Sequence, residues 1–181
     1  MTMLKKIGIG LAVVLVALVG FIATRPSTFH IERSTKIAAQ PEVVFGQIND
    51  LHKWQGWSPW EKLDPAMKKT HSGAPSGTGA VYSWVGNKDV GEGRMTITDS
   101  RPSELVEIKL EFLKPFEATN KTTFSVKPGG DGSNVTWSMD GSNNFMSKAF
   151  GLFMDMDSMI GKDFEKGLAG MKQISEAEAK K

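Results

Sequence analysis

The chain opens with a stretch that has no polar face. Ile7 to Thr24, IGIGLAVVLVALVGFIAT, runs for 18 residues without a charge. As a helix it would extend ~27 Å, enough to cross the hydrocarbon core of a bilayer. Beyond it the pattern alternates. Phe29, Ile31, Arg33, Thr35 and Ile37 fall on one side of the segment Phe29 to Ala38, which reads as a strand. Pro41 is suited to the first position of a helix whose apolar face is Val43, Val44, Phe45 and Ile48. A second short helix is predicted from Pro59, with Ser58 and Glu61 spaced as a capping box, ending near Asp64-Pro65. Residues 71–79 are rich in glycine and read as a turn region. Strands follow at Ala80 to Val85, Gly93 to Thr98, Glu104 to Phe112, Thr119 to Val126 and Asn134 to Asp140. In the third of these Val106, Ile108, Leu110 and Phe112 alternate with Glu107, Lys109 and Glu111, so one face is buried and the other wet.

From Asn144 the period changes. Met146, Ala149, Phe153, Met156, Ile160, Phe164, Leu168, Met171 and Ile174 step by three or four, which predicts one helix of nearly thirty residues ending in a polar tail that frays. Strands joined by short turns pair antiparallel, and a long amphipathic helix must cover their apolar face. The fold class expected is therefore α+β. The segments are 1–6 as a cytoplasmic N-terminus, 7–24 as a transmembrane anchor, 25–28 as a linker, 29–176 as the folded domain and 177–181 as the tail.

The order of elements resembles the helix-grip fold of the START-like (SRPBCC) superfamily, most closely its bacterial polyketide cyclase/dehydrase-like branch. The resemblance is carried by Ile37-Ala-Ala-Gln-Pro-Glu-Val-Val-Phe, Trp57-Ser-Pro-Trp-Glu-Lys, Gly77-Thr-Gly-Ala-Val-Tyr-Ser-Trp, Gly91-Glu-Gly-Arg-Met-Thr-Ile and Gly161-Lys-Asp-Phe-Glu-Lys-Gly-Leu. It covers about residues 29–175 and leaves the apolar N-terminal run outside. It implies a curved antiparallel sheet wrapped around the C-terminal helix, with a hydrophobic cavity between them for a lipid, sterol, polyketide or other apolar guest. It brings no shared catalytic motif.

Charge changes the picture in two places. The chain has 22 Lys and Arg against 20 Asp and Glu. Lys5 and Lys6 supply the whole excess, so the body is neutral and lacks the basic footprint of a nucleic-acid binder. The same two lysines, ahead of the apolar run, favour an N-terminus in the cytoplasm and a domain outside it, on the periplasmic or extracytoplasmic face of the inner membrane. A cleaved signal peptide is the rival reading. It fits less well, because cuts after Ala23 or Gly20 put Phe21 or Leu18 where a small residue is needed. The absence of cysteine excludes disulfides, thiolate metal sites and a cysteine nucleophile. Three histidines make a multi-histidine metal site a poor expectation.

Candidate chemistry is mostly apolar. Trp57, Trp84, Val106, Ile108, Leu110, Phe112, Asn120, Phe124, Trp137, Met139, Phe153 and Met156 are, as a set, the expected lining of a ligand cavity; for any one of them alone plain core is the favoured reading. Methionine is common on surfaces that adapt to varied apolar guests. Trp54, Trp57 and Trp60 could line a cavity mouth, meet a membrane interface or pack the short helices. Gly151, Gly161, Gly167 and Gly170 interrupt the predicted helix, each costing ~1 kcal/mol relative to alanine, and ask for close packing or room for a guest. Glu92, Arg94, Asp140, Asn120, Thr122 and His52 are the candidates for acid–base chemistry, but no nucleophile-elbow or phosphate-loop motif supports a reaction. The function expected is a membrane-anchored binder of a small apolar or lipid-like ligand, without metal or cofactor. The alternatives are a cyclase, dehydratase or hydrolase in the same cavity, or an interaction module without a ligand.

Overall fold

A computed structural model describes residues 3–181. Met1 and Thr2, part of the expected cytoplasmic segment, lie outside the described residues. An apolar helix, α1 (Met3–Ala23), precedes a seven-stranded antiparallel sheet, of strand order β1-β7-β6-β5-β4-β3-β2. The strands are β1 (Thr28–Ile37), β2 (Lys68–Gly73), β3 (Ala80–Val85), β4 (Glu92–Arg101), β5 (Leu105–Lys114), β6 (Ala118–Gly129) and β7 (Gly132–Ser142). Between β1 and β2 lie α2 (Pro41–Asn49) and two 3-10 turns, Leu51–Gly56 and Pro59–Lys62. After β7 come α3 (Phe145–Phe150) and α4 (Met156–Glu178).

The alternation read from the sequence is the alternation of burial. Ile31, Ile37, Val106, Ile108, Phe124, Val126, Val135 and Trp137 are buried on the concave face. Register shifts at Glu92/Gly93 and Ile97/Asp99 mark bulges in β4, which sharpen the bend of the sheet. At Gly93 the missing side chain lets the Trp84 indole lie against the strand, since a Cβ there would meet the ring.

Helix α4 packs chiefly along β1. Arg33 ties it down, pairing at 3.0 Å with both Asp157 and Glu165. Its glycines answer the question the sequence raised. Gly161 faces Arg33, Gly167 faces Trp137 and Gly170 faces Trp57, so three of the four mark close approach of α4 to the domain. The far end of α4 is pinned rather than frayed: Glu176 accepts from the Ala38 amide at 2.9 Å and Glu178 from Gln47 at 2.6 Å.

Four local expectations are corrected. The single long helix is two, broken between Phe150 and Met156, because Asp155 caps a new start by accepting from the Ser158 amide. The segment expected to open as a turn contains β2, an edge strand exposed along its length and held by pairing with β3. An additional turn of 3-10 helix covers Leu51–Gly56. Finally, Ser58 makes no side-chain cap, and Glu61 is drawn away to Tyr82 and Lys69.

Candidate functional site

The concave face has two halves with different packing. In the half away from the start of β1 it is solid. Trp137 stacks on Phe164 of α4 with centroids 4.1 Å apart and planes 7° from parallel. Phe124 lies 4.7 Å from Trp137 on the sheet, and Trp54, Trp57 and Trp60 meet the Trp137 ring edge-on at 5.7–6.3 Å. The indole N–H groups of Trp54 and Trp57 are satisfied by the carbonyls of Ile48 and Gln47. Such rings each bury ~150–250 Å² and interlock as a core does. The cavity expected between sheet and C-terminal helix is therefore filled at this level. Trp57, Val106, Phe124 and Trp137, expected as its wall, are core.

The other half is open. A row crosses the strands: Phe29 opposite Gly141, Asn120 with its side chain against Gly141, and then Leu110, Met95 and Tyr82 in register. The next row outward holds Ala118, Phe112, Gly93 and Trp84. Leu110, Phe112, Met95 and Phe29 are only half-buried, and Phe112 meets Trp84 edge-on at 6.1 Å. Arg33 bonds Asp157 in the first turn of α4, and the trough row begins at Phe29, four residues nearer the start of β1. Ile108 and Met139 form the buried floor where the two halves meet.

Asn120 is the polar feature of the trough. It is buried, and among the described residues its amide donates only to the Met139 sulfur, at 3.7 Å. A thioether is a weak acceptor, so the amide keeps capacity for a stronger partner. Next to the trough, Tyr82 donates to Glu61 at 2.6 Å while Lys69 pairs with the same carboxylate. Burial and the Glu61 carboxylate push the Tyr82 phenol well above its ordinary pKa, which holds it protonated. Tyr82, Met95 and Glu61 were not among the expected site residues. Alternation with Trp84 and Ile97 could have placed Tyr82 and Met95 on the concave face; Glu61 carries no such signal.

Phe153 does not join the wall. It sits in the break between α3 and α4 and is 87% exposed. Met156 starts α4 and is 41% exposed, on the same helix face as Met159. The acid–base candidates also part company. Arg94 pairs with Glu111 and Glu92 with Lys114 as exposed ion pairs. His52 stacks on His71 at 4.0 Å and bonds Asp50. Of two surface hollows, of about 350 and 230 Å³, the larger shares Ile108 and Asn120 with the trough and the smaller has no residue in common with it. The larger is lined mostly by outer-face side chains such as Thr98, Glu107, Lys109 and Lys121, and the smaller by Lys36, Asp131, Lys172 and Glu176. No cluster of side chains able to hold a metal ion occurs among the described residues.

The family model described as polyketide cyclase / dehydrase and lipid transport matches residues 28–176. The chain belongs to that family. This polyketide cyclase-like domain is a member of the START-like superfamily, and solved structures agree on the fold. An uncharacterized protein from Rhizobium leguminosarum superposes with a TM-score of 0.61 at 11% identity, over 83% of this chain and 95% of its own. A protein of unknown function from Staphylococcus aureus gives 0.60 at 12%, over 85% and 97%. The major latex-like protein 151 of Panax ginseng gives 0.58 at 18%, over 85% and 99%. At such identities the likeness is one of fold. No curated protein sequence matches the chain.

Proposed function

We propose that the protein is a membrane-anchored binder of a small apolar or amphipathic, lipid-like ligand, held in the open half of the concave sheet. The observation that carries this reading is the trough itself. Half-buried Leu110, Phe112 and Met95 surround a buried amide, Asn120, whose protein partner is a sulfur atom. Apolar surface takes the body of a guest, and one convergent polar group orients a carbonyl or hydroxyl on it. Membership of a family described by polyketide chemistry and lipid transport supports the same ligand class. Helix α1 is long and apolar enough to cross a membrane, and its side chains are exposed nearly throughout. Lys5 and Lys6 ahead of it favour an N-terminus in the cytoplasm and a domain outside it.

A photoactivatable fatty acid, incubated with the full chain in mild-detergent micelles, should crosslink to β4, β5 and β6 around Leu110 and Asn120. Leu110→Lys should abolish those adducts while leaving any on α1. Crosslinks confined to α1 in the unsubstituted chain would refute the trough as the site. Orientation is read separately: a reporter active only outside the cytoplasm, fused after Lys181, should be active, and activity of a cytoplasm-only reporter would reverse the placement.

A further inference from the structure

The large apolar side chains that water reaches are gathered at one end of the domain. That end holds the start of β1, the β3–β4 and β5–β6 hairpins, the exit of β7 and the start of α4. Outside α1, the exposed large hydrophobics among the described residues all fall there. Leu113 and Phe116 project from the β5–β6 hairpin, Phe145 and Phe150 from α3, and Phe153 and Met154 from the break that follows. Phe116 is 73% exposed and Phe153 87%. The opposite end is built from Ala74-Pro75-Ser76, Arg101-Pro102-Ser103-Glu104 and Gly129-Gly130-Asp131-Gly132, with no exposed large hydrophobic among them. A soluble domain rarely concentrates apolar surface this way without something to cover it.

The covalent structure says what covers it. Helix α1 ends at Ala23 and β1 begins at Thr28. Five steps of extended chain reach at most ~18 Å, so the rim cannot stand far from wherever α1 is embedded. The two are also in contact: α1 packs against α3, and Lys148 of α3 donates to the Ala23 carbonyl at 3.3 Å. The apolar surface of α1 thus continues through Phe145 and Phe150 onto the rim. Arg25, lying 5.3 Å over the Phe21 ring, and Lys148 put cations at the junction, where anionic headgroups would meet them.

We propose that this rim is a membrane-seating surface. It inserts its aromatic and methionine side chains into the leaflet from which α1 emerges, and so sets the open trough against the acyl chains of that leaflet. The ligand would then be loaded from the bilayer rather than from water. The inference rests on the reading of α1 as a membrane span.

The absence of cysteine gives a clean test, because one introduced thiol carries one label. The full chain is reconstituted into vesicles of phosphatidylcholine and phosphatidylglycerol containing acyl-chain nitroxide lipids. An environment-sensitive fluorophore is placed in turn at Phe116→Cys and Phe153→Cys on the rim, Val13→Cys in α1 and Asp131→Cys in the far hairpin. The rim labels should be quenched as Val13 is, while Asp131 keeps its emission. Adding Phe116→Asp together with Phe153→Asp should remove quenching from a label at Met154→Cys without changing tryptophan emission, since both substituted side chains are exposed. Quenching at Val13 with rim labels as bright as Asp131 would overturn the proposal and leave the anchor standing. If instead the unlabelled Phe116→Cys or Phe153→Cys thiols form disulfide-linked dimers when a mild oxidant is added to the vesicles, the surface belongs to a second chain, which would also overturn it. An unquenched Val13 would remove the anchor, and the seating surface with it.

Discussion

Gly167→Ala sets two known effects against each other, and the structure decides the sign. A Cβ on Gly167 would stand 2.6 Å from Cζ3 of Trp137 and 3.3 Å from Cδ of Pro59. Carbon atoms in contact need ~3.5–4.0 Å, so the indole would have to retreat by about 1 Å. It has nowhere to go. Phe164 stacks on it at 4.1 Å, Phe124 lies at 4.7 Å, and Trp57 and Trp60 close its edges at 5.7 Å. Alanine gains ~1 kcal/mol over glycine inside a helix, whereas overpacking a filled core costs ~1–3 kcal/mol. With the indole held on every side the cost falls in the upper part of that range, and the expected net is a loss of up to ~2 kcal/mol. Gly151→Ala supplies the control, because its Cβ would meet only the Ser147 carbonyl at 3.4 Å and the Lys148 carbonyl at 3.6 Å. That variant should be neutral or slightly stabilising. Urea titration of the full chain in mild detergent, followed by tryptophan emission, reads the midpoint at constant slope. A double variant that also carries Trp137→Leu should lose less than the two single losses added, since the substitutions share one contact. If Gly167→Ala matched Gly151→Ala, the core under α4 would contain slack, and that half of the concave face would not be solid.

Two further outcomes separate core from rim and test a surface cluster. Phe164→Ala should cost ~3–5 kcal/mol in the same titration, whereas Met156→Ala, at an exposed position, should cost less than about 1 kcal/mol; equal losses would refute the assignment of Phe164 to core and Met156 to the open side. The hydrogen bond that His30 donates to Asp140, and more weakly the Glu32 charge, raise the His30 pKa above its ordinary 6.5. A raised histidine stabilises the fold fully below the unfolded value of about 6.5, while its carboxylates stay ionised, and the contribution vanishes as pH rises through the folded value. His30→Asn should therefore be slightly less stable than the native chain near pH 5–6, by an amount kept small by exposure, and equal to it at alkaline pH; a deficit that persisted or grew with pH would refute the pairing.

The strands were legible because burial on one side of a sheet writes a period of two into the sequence, as in Val106, Ile108 and Leu110 against Glu107, Lys109 and Glu111. β2 was not, because Lys-Lys-Thr-His-Ser-Gly buries nothing and is a strand only through its pairing with Val81 to Val85. Ser58 and Glu61 have the spacing of a capping box, yet Tyr82, 21 residues away, takes the carboxylate. No local rule sees such a partner. In the trough, Trp84, Leu110, Phe112 and Asn120 were placed by alternation. Which half of the concave face is solid was hidden, because it depends on where α4 begins.

That beginning ties the trough to the end of the domain that adjoins α1. The apolar stripe keeps its helical spacing from Met146 to Ile174, so periodicity alone favours a helix over the whole concave face. Asp155 breaks the run by offering its carboxylate to the Ser158 amide, and α4 starts at the level of Arg33. The turns that would have covered Asn120, Leu110 and Phe112 become α3 instead, which swings to the end of α1. One capping interaction thus uncovers the trough and delivers Phe145 and Phe150 to the junction with α1. A continuous helix would have closed the apolar face away from any bilayer. The broken one leaves it open on the side from which α1 departs, where an apolar guest held in a membrane would have the shortest path to it.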